Sequence, residues 1–268
     1  MGRAYAPLAG SVGGMCGRYA TTRSAADLSA LFEAADEVDG PLAADYNVAP
    51  TDPVPIVRLS RGAAGRVLSV ARWGLLPAWA DPRTAGPPAA PRRRAPQMIN
   101  ARAESVATAR AFAPSFARRR CLVPADGWYE WRQLAPRQKQ AYFMTPRDGG
   151  VLAFAGLWTV SGSDEERIVS CCVVTTAAPG EFTLVHDRMP LLLPPQRWAA
   201  WLGTATGPGP DPAALLAPPS AEYLATLEIR PVGPEVGNVA NDGPRLVQRV
   251  PAGSLFGPAD SRVDLNLF

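Results

Sequence analysis

The stretch RRCLVPADGWYEWRQ, residues 119–133, decides the fold class of this chain. It holds two largely apolar runs separated by an Asp-Gly pair, a pattern typical of a strand, a turn and a second strand. Because side chains alternate along a strand, the second run places Trp128 and Glu130 on one face and Tyr129 and Trp131 on the other. The middle of the chain is therefore predicted to be β-structure.

The flanking sequence predicts more strands and few helices. Apolar and β-branched content indicates strands in AYFMT, VLAFAGLWTV, RIVSCCVVTT and LEIRPV, at 141–145, 151–160, 167–176 and 227–232. Helical spacing is found at Ser24–Asp36, where Ser24 can cap the first turn, and at 193–203, where proline stands near the first turn. Because strands and helices do not alternate as βαβ units, we expect an α+β fold. Its sheet should be mixed, largely antiparallel and partly closed like a barrel, with few flanking helices.

The composition excludes several kinds of site. The chain has 268 residues and a net charge of +3, which permits an anionic partner without requiring one. Four cysteines without a CxxC spacing and a single histidine argue against a structural zinc site, and we expect neither a metal nor a cofactor. Cys171 and Cys172 are adjacent in an apolar run, which predicts that they are buried on opposite faces of a strand. No apolar run approaches the ~18 residues of a membrane span.

The N-terminal region raises the question of where the working protein begins. Residues 1–14 contain one arginine and a short, glycine-broken apolar stretch, which makes a poor signal peptide, and they precede the motif MCGRYA at 15–20. We expect Met15 to be the true start, or residues 1–14 to be a disordered leader, so that Cys16 becomes the first residue. The only lysine is Lys139, so an enzyme that forms imines would have to use it or the terminal amine. The expected organisation is a leader at 1–14, one domain at 15–250 and a tail at 251–268.

Two titratable side chains are candidates for proton transfer. Glu130 is framed by aromatic residues, which would desolvate its carboxylate and raise its pKa enough for a proton donor near neutral pH. The alternative is a strand glutamate that faces solvent. His186 lies in the polar turn of LVHDRMP, and imidazole is suited to general acid or base catalysis near neutral pH. A structural histidine is the alternative there.

Two further groups are candidates for ligand binding. Asn100 and Arg102 in MINARAES point the same way in an extended segment, and an amide beside a guanidinium suits a phosphate or sugar. A cap and a surface arginine are the alternative. Trp73 and Trp79 in RWGLLPAW, with Leu75 between them, would form a platform for base stacking if exposed and ordinary core if buried. The residues alone do not decide between these.

Eight motifs occur in one order along the chain: MCGRYA, YNVAPT, RWGLLPAWA, INARAES, CLVPADGWYEW, FAGLW, VHDRMPLLL and VGNVAND. In these motifs the chain resembles the SRAP family, the SOS-response-associated or abasic-site-processing proteins, from about Met15 to about Val250. The resemblance implies the SRAP fold and a protein of the DNA damage response. Such a protein binds single-stranded DNA that contains an abasic site and forms a covalent crosslink with it.

The resemblance also assigns roles to residues. It implies that the initiator Met15 is removed, that the amine of Cys16 forms an imine with the abasic aldehyde, and that the Cys16 thiol closes a thiazolidine. Since an imine at C1′ acidifies C2′, strand cleavage by β-elimination is a side activity of this chemistry. The implied catalytic residues are Cys16, Asn100, Glu130 and His186. The implied DNA contacts are Arg102, Asn47, Pro50, Trp73, Leu75 and Arg18.

Two features depart from the family pattern. With residues 1–14 attached, the nitrogen of Cys16 is an amide and cannot form an imine. A Pro/Arg insertion at Arg83–Gln97 precedes the INAR motif and is either a source of phosphate contacts or a solvated loop. Two alternatives stay open: a thiol autopeptidase that removes the leader with Cys16, Glu130 and His186, and a module that binds single-stranded DNA without a covalent bond. We expect a cytoplasmic monomer that associates with the nucleoid when bound to DNA, and no membrane partner.

Overall fold

The computed structural model describes residues 16–60, 65–77, 98–162, 167–203 and 211–250. Thirteen strands and four α-helices lie within these ranges. The strands are β1 (Tyr19–Thr21), β2 (Ala34–Asp36), β3 (Asp45–Val48), β4 (Pro53–Leu59), β5 (Arg66–Trp73), β6 (Asn100–Arg102), β7 (Arg120–Ala125), β8 (Gly127–Ala135), β9 (Gln138–Pro146), β10 (Leu152–Ser161), β11 (Ile168–Ala177), β12 (Arg188–Pro190) and β13 (Leu227–Val232). The helices are α1 (Ala25–Phe32), α2 (Ala113–Arg118), α3 (Pro195–Leu202) and α4 (Ala221–Ala225). The leader, the insertion at 83–97, Trp79 and the tail at 251–268 lie outside the described residues.

The strands form two sheets, one of which closes on itself. The five-stranded sheet has the order β13-β9-β8-β1-β3, and the larger sheet has the order β12-β11-β10-β7-β4-β5-β2 with β6 added on β11. A further pairing of β11 with β5 closes strands β5, β4, β7, β10 and β11 into a ring. Most neighbours are antiparallel, whereas β11 runs parallel to β5 and β6, and β2 runs parallel to β5. The predicted α+β fold, with a mixed and partly closed sheet, is confirmed.

Three apolar clusters fill the spaces between these layers. The first joins one face of the barrel strands to the five-stranded sheet, and the second joins the other face of the barrel strands to the helices. The third covers the outer face of the five-stranded sheet with the segment that follows β13. Cys171 belongs to the first cluster and Cys172 to the second, both fully buried, as their adjacency in a strand predicts. Both faces of the central strands are therefore covered.

The Asp-Gly pair between β7 and β8 carries the chain from one sheet to the other. The predicted strand, turn and strand are present, but β7 pairs with β10 and β4 while β8 pairs with β9 and β1. Gly127 begins β8 at this crossing, and a β-carbon added there would overlap the carbonyl oxygen of Met144 and lie 2.5 Å from the ring of Phe143. A side chain has no space there, so β8 could not pack against its neighbour β9 in the same way.

The helices are short, and the two that the sequence predicts are present as α1 and α3. Ser24 caps α1 by accepting a hydrogen bond from the Asp27 N–H, but the helix ends at Phe32 rather than at Asp36. Glu33 adopts the left-handed conformation (φ 50°), and the residues after it leave the helix to pair with β5 as β2. The helix predicted at 193–203 is α3, which Gly203 ends at φ 84°. No helix in the described ranges is long and apolar enough to span a bilayer.

The close packing of β8 on β9 at Gly127 can be tested by substitution. Gly127→Ala introduces a methyl group that overlaps backbone and ring atoms of β9, and the free energy of unfolding should fall by about 3 kcal/mol. The matched control is Gly237→Ala, where no atom lies within 4 Å of the added carbon, and its effect should stay within about 0.5 kcal/mol. Urea denaturation measures both, and equal effects of the two changes would contradict this close packing.

Candidate active site

Three of the predicted catalytic residues meet around the backbone of Cys16. Asn100 Nδ2 donates a hydrogen bond of 2.8 Å to the carbonyl oxygen of Cys16. The Glu130 carboxylate accepts hydrogen bonds from both the thiol and the backbone N–H of Cys16. Cys16 is 5% exposed and Glu130 is 3% exposed, so the group is closed off from bulk water. The nitrogen and the sulfur of Cys16 therefore both donate hydrogen bonds to the same carboxylate.

Strand pairing explains how three distant segments come together. β1 lies antiparallel to β8 with Tyr19 opposite Trp128, and the N–H of Tyr129 donates to the carbonyl of Arg18 (3.0 Å). The segment before β1 therefore continues alongside β8 and brings Cys16 to Glu130. Asn100 arrives from the other sheet, since β6 pairs in parallel with β11 with Asn100 opposite Val173. The site thus lies where the two sheets meet.

Burial controls the protonation of this group. Desolvation raises the pKa of Glu130 to about 8; the hydrogen bonds from Cys16 oppose this shift, and the charge of Asp187 adds to it. Burial also raises the pKa of the Cys16 thiol, and the neighbouring Glu130 carboxylate raises it further. Near neutral pH, Glu130 is therefore a proton donor and the Cys16 sulfur is a thiol rather than a thiolate. The prediction of a desolvated, aromatic-framed Glu130 holds, and the solvent-facing alternative is wrong.

Several buried polar atoms at this place have no partner in the described residues. They are Glu130 Oε1, Asn100 Oδ1 and Trp128 Nε1. An unpartnered buried polar atom costs about 1–3 kcal/mol, so such atoms call for a partner from outside the chain. Two acceptors and one donor suit a ligand that carries hydroxyl groups. No group of three or more metal-ligating side chains accompanies them in the described ranges.

His186 lies at the edge of the site rather than in the group around Cys16. It follows a 3₁₀ helix at Gly180–Leu184, and its Nδ1 accepts a 3.0 Å hydrogen bond from the backbone N–H of Arg188. The same Nδ1 lies 3.1 Å from Asp187 Oδ1, so this nitrogen is occupied within its own loop. Nε2 is then the ring nitrogen that is left for a ligand. The loop acts on the group around Cys16 through the charge of Asp187, which raises the pKa of Glu130.

Arg18 and Asn47 hold the protein together rather than presenting free groups. Arg18 Nη1 donates to Asn47 Oδ1 (2.6 Å) and to the carbonyl of Val236 (2.9 Å). The buried Asn47 Nδ2 donates to the carbonyls of Asn238 (3.0 Å) and Asn241 (2.8 Å). Together they tie the loop after β13 to the N-terminal segment. The expectation that the Asn47 side chain contacts DNA is corrected, because its amide is buried and fully used inside the protein.

The remaining predicted DNA contacts divide into exposed and buried residues. Arg102 is exposed at the end of β6, and Pro50 is half-buried in the turn between β3 and β4. Trp73 is 2% exposed, and its Nε1 donates to the carbonyl of Ile99 (3.0 Å), while Leu75 is fully buried. The structure corrects the expectation for these two side chains: Trp73 packs in the core between the sheets, Leu75 packs in the core between the barrel strands and the helices, and neither offers a stacking platform.

Sequence reasoning missed Arg188 and Glu104. Arg188 makes two hydrogen bonds to the Glu104 carboxylate, at 2.5 and 3.0 Å, and a third to the carbonyl of Thr175 (2.7 Å). These bonds from Arg188 are the main cause of the lowered pKa of Glu104. The pair joins β12, which follows His186, to the segment just after Arg102. The motifs HDRMP and INARAES contain both residues, but nothing in their spacing indicates that they meet.

The raised pKa of Glu130 predicts a pH-dependent stability. Its pKa is about 8 in the folded chain and about 4.3 in an unfolded one. Between these values the folded chain binds more protons, so the free energy of unfolding falls as pH rises through this range and levels off above it. Glu130→Gln removes that titration, and its stability relative to the wild type should rise by a few kcal/mol between pH 5 and pH 9. Urea denaturation of both proteins at each pH measures the difference, and a constant difference would contradict the assigned pKa.

Comparisons with known proteins identify the family of this chain. The family model described as SOS response associated peptidase (SRAP) matches residues 15–239. The abasic site processing protein YedK of Escherichia coli is 31% identical over 240 residues, which cover 88% of this chain and 100% of YedK. The abasic site processing protein YoqW of Bacillus subtilis is 30% identical over 236 residues, covering 87% of this chain and 99% of YoqW.

The fold agrees as well. A crystal structure of a Bacteroides thetaiotaomicron protein superposes with a TM-score of 0.71 at 21% identity, covering 88% of this chain and 100% of that one. At this identity the likeness concerns the fold alone. The family model and the two relatives carry the assignment, and both cover most of the chain. This chain belongs to the SRAP family.

Proposed function

We propose that this protein processes abasic sites in single-stranded DNA and bonds covalently to them through Cys16, once residues 1–15 have been removed. The observation that carries the proposal is a pair of hydrogen bonds from one buried cysteine. Its backbone N–H and its thiol both donate to the Glu130 carboxylate, whose pKa is raised to about 8. Relatives of similar length are named abasic site processing proteins, which supports the choice of substrate.

The chemistry needs both atoms of Cys16. An abasic sugar opens to an aldehyde at C1′, and a free α-amine adds to that carbon and loses water to form an imine. The thiol then adds across the C=N bond: sulfur bonds to C1′ and the nitrogen takes up the proton, which gives a five-membered thiazolidine. Because sulfur and nitrogen belong to one residue, proximity favours the second step strongly. Because burial keeps the sulfur protonated, the thiol must lose its proton as the sulfur attacks, and the imine nitrogen takes up that proton.

Glu130 is suited to move the protons of these steps. While residue 15 is attached, the carboxylate accepts the amide N–H of Cys16; after its removal an ammonium group takes that position. The positive charge of that ammonium favours the ionised form of Glu130, and the carboxylate then takes a proton from the ammonium and frees the amine for attack. The resulting carboxylic acid protonates the departing hydroxyl as water leaves. One group acts first as base and then as acid, as a pKa close to the working pH allows.

The other predicted residues complete the assignment. Asn100 holds the carbonyl of Cys16 and has its Oδ1 free to accept a hydroxyl of the opened sugar. His186 offers Nε2 for proton transfer at the sugar ring oxygen, since its Nδ1 is held by Arg188. Arg102, exposed two residues after Asn100, supplies a phosphate contact. The imine also permits β-elimination, which makes strand cleavage a side activity of the same site.

A second candidate function uses the same group on the chain itself. Glu130 accepts the N–H of Cys16, which is the nitrogen of the Met15–Cys16 peptide bond. Cleavage of this bond needs a proton donor next to that nitrogen, because the leaving amine must be protonated, and Glu130 stands in that position. The thiol of Cys16 would be the nucleophile of this autopeptidase. The Cys16→Ala chain should then keep residues 1–15, and loss of the leader in that chain would assign the cleavage to another protease.

The mass of the intact protein tests the crosslink. Wild-type protein mixed with uracil-containing single-stranded DNA pretreated with uracil glycosylase should gain the mass of one DNA strand, on a chain that begins at Cys16. Cys16→Ala should give no stable adduct. Cys16→Ser keeps the amine, so it should form an adduct that is stable only after reduction with borohydride.

The matched control for the crosslink is Cys172→Ala, since Cys172 is a buried thiol on the helix side of the barrel strands. Its adduct should equal that of the wild type. A full, stable adduct on Cys16→Ala would overturn the thiazolidine assignment. DNA binding by a wild-type chain that begins at Cys16 and yet forms no adduct would leave only a non-covalent DNA-binding module.

Removal of the Arg102 charge should weaken DNA binding in a salt-dependent way. For Arg102→Ala, the slope of log K against log salt for single-stranded DNA should become shallower by about 0.7, the value for one lost phosphate contact. The control is Arg137→Asn in the exposed β8–β9 turn, where asparagine tolerates the observed φ of 66°. Fluorescence anisotropy over a salt series measures both slopes. Equal slopes for Arg102→Ala and wild type would contradict a phosphate contact at this residue.

A further inference from the structure

The turn between β3 and β4 contains an unusual backbone conformation at Thr51. Its φ is 90°, in the left-handed region that favours glycine. Thr51 is a β-branched residue, for which a positive φ is a genuine outlier and costs about 1–3 kcal/mol. The two other non-glycine residues with positive φ in the described ranges, Glu33 and Arg137, lie near the ordinary left-handed helical values at 50° and 66°.

The surrounding structure holds this conformation firmly. The Asp52 N–H donates to the carbonyl of Ala49 (3.1 Å), and Asp52 Oδ2 accepts from the Ala49 N–H (2.8 Å). The Thr51 N–H donates to the carbonyl of Trp73 (2.8 Å), and the Trp73 N–H donates back to the carbonyl of Asp52 (2.9 Å). The turn is thus closed on itself and fixed to the end of β5. It is a rigid turn in which a glycine would relieve the strain.

Strand register places this turn beside the candidate active site. β1 and β3 are antiparallel with Tyr19 opposite Val48, so the residues before Tyr19 run alongside the residues after Val48. Those neighbours are the segment that holds Cys16 on one side and Pro50 with Thr51 on the other. The opposite flank of the turn leads to Asn100, because the indole of the Trp73 that binds the turn also binds the residue before it, Ile99.

The hydroxyl of Thr51 is available to a ligand. The side chain is half-buried, and its oxygen makes no hydrogen bond to the described part of the chain. The hydroxyl therefore does not stabilise the turn that strains the residue. Strain that is retained without local benefit clusters at sites where the geometry serves binding or catalysis. Threonine hydroxyls are among the groups that commonly contact DNA phosphates.

We propose that Thr51 is a DNA-contact residue whose hydroxyl donates a hydrogen bond to a phosphate oxygen of the strand next to the abasic sugar. The inference rests on the proposed function and adds a contact that the motif comparison did not single out. The rigid turn fixes the backbone of Thr51 near the segment that leads to Cys16. The neighbouring Arg18 guanidinium is held by Asn47 and by carbonyl groups, so Thr51 offers a free donor on this flank.

Three substitutions separate the hydroxyl from the strain. Thr51→Ala removes the hydroxyl and keeps the β-carbon, Thr51→Ser keeps the hydroxyl, and Thr51→Gly removes both. Affinity is measured by anisotropy on single-stranded DNA that carries tetrahydrofuran, a non-reactive abasic analogue. Thr51→Ala and Thr51→Gly should bind about tenfold more weakly, as for one lost hydrogen bond to a charged group, and Thr51→Ser within about twofold of the wild type. Thr51→Gly should melt at or above the wild-type temperature, which shows that its lost affinity is not lost folding.

A second measurement identifies the phosphate. Replacing the linkage on either side of the analogue by an uncharged methylphosphonate should weaken wild-type binding about tenfold at one of the two positions. The same replacement should have no further effect on Thr51→Ala. Wild-type affinity in Thr51→Gly, or an equal methylphosphonate effect in wild type and Thr51→Ala, would overturn the proposal.

The two proposals fail in different ways. A wild-type chain that begins at Cys16 and binds the analogue but never crosslinks to an abasic site would sink the covalent function. The Thr51 contact would still be decided by the affinities. A wild-type chain that binds neither the tetrahydrofuran analogue nor DNA with an abasic site would overturn both the covalent function and the Thr51 contact.

Discussion

Strand β11 is the element on which the rest of the structure depends. It pairs with β10, β5, β6 and β12, and its pairing with β5 is what closes the barrel. The second half of the strand carries β6 on one edge and β12 on the other, since Thr175 pairs with residues of both. Asn100 and Arg102 therefore stand on one side of β11, and the loop with His186 stands on the other. One strand therefore positions both parts of the site, because β6 and β12 pair with its opposite edges.

The candidate site also contains buried polar groups that the described chain does not satisfy. A carboxylate oxygen, an amide oxygen and an indole N–H have no hydrogen-bond partner there, next to the apolar clusters that fill the spaces between the layers. The clusters on either side of the sheets compensate for this local cost. Departures from ordinary packing and hydrogen bonding are expected where a ligand completes the structure.

Much of the fold follows from the sequence, because alternation and turn residues are local signals. The faces of β8 are an example: Trp128 and Tyr129 fall into different clusters, as strand alternation requires. Local sequence does not determine which face of a strand is exposed to solvent. The burial of Glu130 depends on a sheet formed by residues more than a hundred positions apart. For the same reason the choice between platform and core for Trp73 is made by the pairing of β5 with β11.

Other features have no signal in the sequence at all. The end of α1 at Phe32 depends on β2, since the parallel pairing of residues 34–36 with β5 overrides their helical spacing. A Pro-Thr pair predicts a turn but not a threonine at φ 90°, since glycine or asparagine is expected at such a position. The candidate catalytic residues were identified through motifs, whereas the contacts of Arg188 and Asn47 became visible only in three dimensions.

The bonds of Arg18 and Asn47 to the loop after β13 have a consequence for how the molecule forms. They join residues separated by 218 and 194 positions, so they close only after nearly all of the described chain is available. Contacts of such long range form late, because the entropy of closing the loop must be overcome first. The segment that holds Cys16 therefore leaves the ribosome well before the loop after β13, and the bonds of Arg18 and Asn47 to that loop are made only once it has been synthesised.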